Sequence, residues 1–95
     1  VDISSEAIEI AKKNAELNKV QVSLIKLDLL SDSFENDFSN KYDVIVSNPP
    51  YVRNQEKAMM QKNVLDYEPN IALFVDDDNA LVYYEAICRI ASNLL

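Results

Sequence analysis

The 95-residue sequence contains no glycine, although average usage predicts about six or seven in a chain of this length. Glycine-rich phosphate loops and dinucleotide-binding turns are therefore excluded within the chain. Tight turns that need a positive φ must instead use Asn or Asp, or accept backbone strain.

Histidine is also absent, and Cys88 is the single cysteine. The lack of imidazole excludes Ser-His and Cys-His nucleophile pairs and removes the commonest metal ligand. One cysteine cannot form an internal disulfide, and the sequence has no signal-peptide pattern. These features predict a reducing, cytoplasmic location and no metal site.

Basic residues are few, with nine Lys and Arg against 16 Asp and Glu and a net charge of −7. This balance disfavours a standalone nucleic-acid-binding protein, because such proteins gain affinity from clustered basic side chains. No apolar run reaches the roughly 20 residues of a membrane span, so a membrane partner is not expected. With 48% hydrophobic and 26% charged residues, the sequence predicts a globular chain with a small core.

The first third of the chain predicts a strand end, a helix and a second strand. Residues 1–3 are typical of a strand end, Ser4 of a helix N-cap, and Asn18 of a left-handed C-cap. Apolar residues recur between the two caps at helical spacing, namely Ala7, Ile8, Ala11 and Ala15. Residues 20–27 begin with alternation and become apolar on both faces, which predicts a buried strand ending at Asp28.

The remainder predicts a connector, a strand, a long loop and a helix. Residues 31–41 are polar with two Phe anchors, and residues 42–47 are β-branched at their centre, as in a buried central strand. After about thirty residues of mixed character, residues 76–79 precede a second amphipathic helix. Its expected apolar face consists of Leu81, Tyr84, Ile87, Cys88, Ala91 and Leu94. The order of elements predicts an α/β fold with a mostly parallel sheet.

The tetrapeptide Asn48-Pro49-Pro50-Tyr51, directly after the predicted central strand, is the most specific motif. Pro50 restricts Pro49 to an extended conformation, and neither proline offers an N–H, so the Pro49 carbonyl lacks a local donor. Asn48 adds a side-chain oxygen beside it. Two fixed acceptors match a planar NH₂ group, and the Tyr51 ring supplies a flat apolar wall.

Such a pair of acceptors suits methylation of an amide nitrogen. The lone pair of that nitrogen is delocalised into the carbonyl, and acceptors on its N–H bonds favour a pyramidal, nucleophilic nitrogen. They also stabilise the positive charge that develops there as a sulfonium methyl is transferred in line. The alternative is that the tetrapeptide merely ends a strand and turns the chain, since its residue types are common in turns.

Acidic residues end the two earlier predicted strands. Asp2 has the position from which a carboxylate accepts from both hydroxyls of a ribose. Asp28 could accept from an adenine exocyclic amine, with Ile3 and Leu29 on either side of the ring. Each Asp taken singly is also a common helix or turn cap.

At these residues the chain resembles the HemK/PrmC family of protein-(glutamine-N5) methyltransferases, which modify the glutamine of the Gly-Gly-Gln loop in peptide chain release factors. The resemblance covers nearly all 95 residues, in the runs VDIS, AIEIAKKNAELN, LDLL, YDVIVSNPPYV, VLDYEP, IALF and LVYYEAI. The Asn-Pro-Pro-Tyr motif is shared with many amino-methyltransferases acting on DNA, RNA and protein, and therefore indicates the reaction class. Residues 67–69 and 71–74 point to this family.

The resemblance implies that residues 1–95 are the central and C-terminal part of a single catalytic domain, with a partial Rossmann-like sheet of the class I S-adenosylmethionine-dependent methyltransferases. It implies a release factor as protein substrate, and Asn48, Pro49, Pro50 and Tyr51 as the residues that hold its glutamine amide, with Asn48, Pro49 and Tyr51 catalytic. The cofactor-binding residues implied are Asp2, Ile3, Asp28, Leu29 and Asn48.

The chain departs from the family's pattern in two places. Residues 75–80 stand where relatives have a Gly-rich stretch before the last helix. The family's Gly-rich first motif, first strand and N-terminal helical domain would precede residue 1. We therefore expect a fragment that binds cofactor weakly or not at all, is inactive alone, and self-associates through exposed strand edges.

Two other functions fit parts of the sequence. The same acceptors would serve methylation of an exocyclic amine of adenine or guanine in RNA or DNA. A non-catalytic binding module that kept the strand-end shape belongs to a different class. The acidic run at residues 76–78 lacks the spacing of a calcium loop and indicates a solvated helix N-terminus. Residues 57–62 could touch a substrate, although a solvent-facing turn is the simpler interpretation.

Overall fold

The computed structural model describes residues 1–32, 34 and 38–95. The chain divides into two compact units, Val1–Phe38 and Ser39–Leu95, and each is described by itself. Of the predicted connector, positions 33 and 35–37 lie outside the described residues. The mixed α/β character is confirmed, because helices accompany parallel strand pairing in the described parts of the chain.

Helix α1, Ser5–Leu17, begins where the sequence predicts. The Ser4 hydroxyl oxygen accepts a hydrogen bond from the Ala7 backbone N–H at 3.2 Å, which satisfies one of the helix's unpaired donors. The four predicted apolar positions, Ala7, Ile8, Ala11 and Ala15, are all half-buried. The predicted helix and its apolar face are therefore confirmed.

The C-terminus of α1 is a Schellman motif displaced by one residue from the prediction. The Val20 N–H donates to the Ala15 carbonyl, and the Lys19 N–H donates to the Glu16 carbonyl, both at 3.1 Å. Lys19 has φ 54°, whereas Asn18 has φ −86°, so the expectation of a left-handed Asn18 is wrong. Asn18 stays right-handed because its backbone N–H still donates to a helix carbonyl.

The predicted strand at residues 20–27 is reduced to one parallel bridge between Asp2 and Lys26. The Asp2 N–H donates to the Ile25 carbonyl at 3.2 Å, and the Leu27 N–H donates to the Asp2 carbonyl at 2.9 Å. The parallel direction agrees with the prediction. A strand buried on both faces is wrong, since Val20 and Val22 are more than half exposed.

In the second unit, strands β1 (Val52–Arg53) and β2 (Phe74–Val75) pair in parallel. The predicted long loop between them contains a 3₁₀ helix at Asn54–Met59 and two short helices, α2 (Lys62–Tyr67) and α3 (Asn70–Leu73). Parallel pairing requires a long crossover connection, and here that connection is largely helical.

Residues 42–47 do not form the predicted buried central strand. Val44 is 72% exposed and Val46 is 89% exposed. A strand is buried only when neighbours pair with it and layers cover it, and no described residue forms a ladder with this segment. Its start is tied elsewhere, because the Tyr42 N–H donates to the Leu94 carbonyl at 2.8 Å.

Helix α4, Val82–Leu94, follows a 3₁₀ helix at Asp77–Asn79 and forms most of the second unit's core. Its buried residues, spaced by four, are Ala86, Ile90 and Leu94, and Val75 of β2 is also buried. The predicted apolar face is correct for Leu94 and for the half-buried Ile87 and Ala91. It is wrong for three residues on the neighbouring stripe that are exposed, namely Leu81, Tyr84 and Cys88.

Candidate functional site

Asp2 and Asp28 lie at the same β-bridge of the first unit or just after it, because the bridge partner of Asp2 is Lys26, two residues before Asp28. Each carboxylate closes a turn with one oxygen. Asp2 Oδ1 accepts from the Ser4 N–H at 2.8 Å, and Asp28 Oδ1 accepts from the Leu30 N–H at 2.9 Å. The alternative in which each Asp is only a helix cap or turn residue therefore explains the position of one of its two carboxylate oxygens.

The second oxygen, Oδ2, of each carboxylate makes no hydrogen bond to another of the described residues. Both side chains are exposed, as is Ile3, and Leu29 is half-buried. The first unit thus brings the two predicted carboxylates to one edge, and each has an acceptor that points to no protein partner in the described chain. Such acceptors can receive hydroxyl or amine donors from a ligand.

The Asn48-Pro49-Pro50-Tyr51 motif belongs to the second unit and has mixed exposure. Asn48 is exposed, Pro49 is buried and Pro50 is half-buried. The Tyr51 ring is 56% exposed. The Asn48 amide has no hydrogen bond among the described residues, which leaves its oxygen available to a substrate donor.

The motif leads directly into the small sheet. Val52, the residue after Tyr51, pairs with Phe74, and Arg53 pairs with Val75. The segment that distinguishes the resembled family, residues 67–74, therefore ends beside the segment that follows the motif. The sequence did not indicate this contact, since Val52 and Phe74 are 22 positions apart.

Two side-chain contacts reinforce the same junction and were missed by sequence reasoning. Asp77 Oδ1 accepts from the Gln55 N–H at 2.9 Å, and Lys57 Nζ lies 5.1 Å from the centroid of the Phe74 ring. Asp77 was expected to belong to a solvated run and Lys57 to a solvent-facing turn. No sequence pattern predicts either contact, because each one joins residues on the two sides of a long connecting segment that has no regular apolar period.

Hydrogen bonds lower the pKa of two glutamates. The Arg53 backbone N–H donates to Glu56 Oε2 at 2.9 Å and is the main cause of the lowered pKa of Glu56, followed by the Arg53 side chain at 3.3 Å. The pKa of Glu6 is lowered by its own backbone N–H and then by the Ser4 hydroxyl, which donates to Glu6 Oε2 at 2.9 Å. Both carboxylates lie in the first turn of a helix, where backbone N–H groups favour a negative charge.

The part of the chain that the structure describes holds no group of three or more His, Cys, Asp or Glu side chains suited to a metal ion. None of its helices combines the length and the apolar character that crossing a lipid bilayer requires.

The profile of the methyltransferase small domain family matches residues 1–71. The chain belongs to this family. Curated relatives similar to it include a release factor glutamine methyltransferase of Flavobacterium psychrophilum, 45% identical over 95 residues, covering 100% of this chain and 32% of the relative. That of Bacteroides thetaiotaomicron is 46% identical over 95 residues, covering 99% of this chain and 33% of the relative.

A bifunctional methyltransferase of Rickettsia bellii is 46% identical over 82 residues, covering 86% of this chain and 14% of the relative. The chain thus spans about a third of the length of the release factor glutamine methyltransferases that it matches. No solved structure matches it significantly. The predicted resemblance to release factor methyltransferases of the HemK/PrmC type is confirmed by the family match and these relatives.

Proposed function

We propose that the complete protein containing these 95 residues transfers a methyl group from S-adenosylmethionine to the N5 nitrogen of a glutamine side chain in a peptide chain release factor. The observation that supports this most is the similarity of the whole chain to relatives named release factor glutamine methyltransferase. The exposed Asn48 and Tyr51, with no competing partner for the Asn48 amide among the described residues, fit a protein substrate that presents an NH₂ group.

The motif residues bind and orient the substrate amide. Asn48 Oδ1 and the Pro49 carbonyl accept the two N–H bonds of the glutamine, and the Tyr51 ring supports the flat face of the amide. Pro50 keeps Pro49 extended and offers no N–H that would compete for its carbonyl. These acceptors pull the amide nitrogen toward a pyramidal geometry and stabilise the positive charge that develops on it.

Residues of the first unit at its β-bridge and just after it hold the cofactor. When bound, S-adenosylmethionine supplies an electrophilic methyl group. The unengaged Oδ2 of Asp2 accepts from ribose hydroxyls, and that of Asp28 accepts from the adenine amine. Ile3 and Leu29 contribute apolar contacts to the adenine ring. The fit of these residues to the cofactor is supported by the two exposed carboxylates, because among the described residues each uses only Oδ1 in its turn and keeps Oδ2 as a free acceptor.

These residues form the central and C-terminal part of one Rossmann-like class I methyltransferase domain that acts in the cytoplasm. The parallel bridge in the first unit and the parallel strand pair in the second support this fold. The 95-residue chain alone self-associates through residues 42–47, a proposal supported by the exposure of Val44 and Val46.

A methyl-transfer assay tests the function. The complete protein, S-adenosylmethionine labelled in the methyl group, and either a release factor or a set of RNA and DNA oligonucleotides are incubated in parallel. Label on the glutamine of the release factor, located by mass spectrometry, is the expected result. Label on adenine or guanine alone would replace this function by nucleobase methylation. No label in either arm would favour the alternative of a non-catalytic binding module.

A further inference from the structure

The segment that follows the Asn-Pro-Pro-Tyr motif is held to the residues after α3 at three points. Val52 and Arg53 pair in parallel with β2. The Gln55 N–H donates to Asp77 Oδ1 at 2.9 Å, and the Lys57 ammonium lies over the Phe74 ring. We name this set of contacts the post-motif junction. It joins two stretches that are 22 residues apart in the sequence.

The post-motif junction begins one residue after Tyr51, so it restrains the backbone that presents the Tyr51 ring. A two-residue strand pair is short and would fray alone, since small strand pairs are marginal in water. The Gln55 N–H donates to a carboxylate oxygen of Asp77, and hydrogen bonds to carboxylates are stronger than those to neutral acceptors. Glu56 stabilises the same turn by accepting from the Arg53 N–H.

Among the three consecutive acids that precede α4, Asp77 is distinguished by this contact. Its Oδ1 is engaged by a backbone N–H from a distant segment. The side chains of Asp76 and Asp78 make no hydrogen bond to another described residue. A run that merely complements a helix dipole would give its three members equivalent roles.

We propose that Asp77 is a positioning residue for methyl transfer: by holding Gln55 it fixes the post-motif junction and thereby the orientation of Tyr51 against the substrate amide. The inference rests on the proposed function, because it assigns to Asp77 an effect on that same site. Asp77 touches neither the substrate nor the cofactor. Its effect is on the alignment of the amide, where small misplacements are costly to the rate.

The test uses three variants of the complete protein: Asp77→Ala, Asp77→Asn and the matched control Asp78→Ala. Steady-state transfer to the release factor and calorimetry with S-adenosylmethionine are measured for each. Asp77→Ala is expected to lower kcat about tenfold while the Kd of the cofactor stays unchanged. Asp77→Asn retains an Oδ1 acceptor for Gln55 and should restore most of kcat, and Asp78→Ala should behave as wild type.

Hydrogen exchange of the Gln55 amide is the second readout. Exchange should accelerate about tenfold in Asp77→Ala, accelerate less in Asp77→Asn because its neutral oxygen is the weaker acceptor, and stay at the wild-type rate in Asp78→Ala. Equal kcat values for Asp77→Ala and Asp78→Ala in an active protein would overturn the inference alone. Wild-type protein that methylates no release factor would overturn the proposed function and, with it, the role of Asp77.

Discussion

Asp2 and Lys26 are partners in a parallel β-bridge, with the Asp2 backbone bonded to the residues on either side of Lys26. This pairing brings the carboxylates of Asp2 and Asp28 to the same edge of the first unit. In each of them one oxygen closes a turn and the other has no partner among the described residues. Because one oxygen closes the turn and the other is available to a ligand, a substitution that changes only one oxygen can separate the two roles.

Replacement of Asp2 by Asn should weaken binding of S-adenosylmethionine to the complete protein. The Asn side chain keeps an oxygen for the Ser4 N–H, so the turn survives, but an NH₂ group replaces the oxygen that would accept from ribose hydroxyls. Loss of hydrogen bonds to a charged acceptor corresponds to about 1.5–3 kcal/mol, or a Kd about 10- to 100-fold higher. Isothermal titration calorimetry measures this directly.

Asp32→Asn is the matched control for that substitution, since Asp32 is an exposed acid of the same unit with no assigned role. Its Kd should equal that of the wild type. An Asp2→Asn protein that bound the cofactor as tightly as the control would contradict the ribose role and leave Asp2 as a turn residue.

Replacement of Asn48 by Ala should reduce methyl transfer to the release factor by a factor of about 100 or more, the usual effect of removing one preorganised polar group from an active site. Cofactor affinity should change little, because the ribose and adenine contacts remain. Label transfer and calorimetry on the same preparation separate the two effects. Asn63→Ala, which alters an exposed residue of α2, is the control, and equal activities of the two variants would argue against the amide-binding role.

Local signals in the sequence were sufficient for α1. The cap Ser4 and the apolar residues at helical spacing act within a few residues of one another, and the structure has both as predicted. The direction of the bridge at Asp2 also followed from the order strand, helix, strand, because that order favours parallel pairing. For the functional motif, the tetrapeptide itself was recognisable, whereas its attachment through Val52 to Phe74 was not.

Features that depend on distant neighbours could not be predicted. The apolar composition of residues 42–47 predicts burial only if other segments pair with them, and the described chain supplies no such ladder. In α4 the sequence offers two adjacent apolar stripes, and tertiary packing selects the one with Ala86 and Ile90. The bond from Gln55 to Asp77 depends on a crossover whose path no periodicity specifies.

Acidification should loosen the turn that begins at Arg53. The folded-state pKa of Glu56 is below its ordinary value, so the unfolded chain binds a proton more readily than the folded chain. The stabilisation is therefore fully present above the ordinary pKa of about 4.5 and is lost as the pH falls through the lower folded value. Protection of the Arg53 amide, followed by hydrogen exchange from about pH 6 to about pH 3 and corrected for intrinsic exchange, should fall accordingly.

Glu56→Gln keeps an acceptor for the Arg53 N–H but does not titrate, so its protection should be lower at neutral pH and flat across the same range. Glu68→Gln alters an exposed glutamate outside this turn and should reproduce the wild-type curve. A Glu56→Gln curve that fell as steeply as the wild type would assign the loss to other groups.

The 95-residue chain should self-associate through its exposed apolar segment. The substitution Val46→Lys places a charge on this segment, which would otherwise pair with a second copy of the chain. It should weaken association at least about tenfold. Sedimentation velocity over a concentration series measures the change between wild type and Val46→Lys. Met59→Lys, at a position 79% exposed outside the segment, should associate as the wild type does, and a wild-type chain that stays monomeric at high concentration would exclude the proposal.

The left-handed Lys19 shows how a glycine-free chain terminates a helix. A residue with a Cβ in that conformation is less stable by about 1–2 kcal/mol than in the right-handed one, and the two Schellman hydrogen bonds offset this strain. In return, the position keeps a positively charged side chain at the negative end of the helix dipole, which glycine could not provide. Turn geometry and helix electrostatics are thereby combined in a single residue.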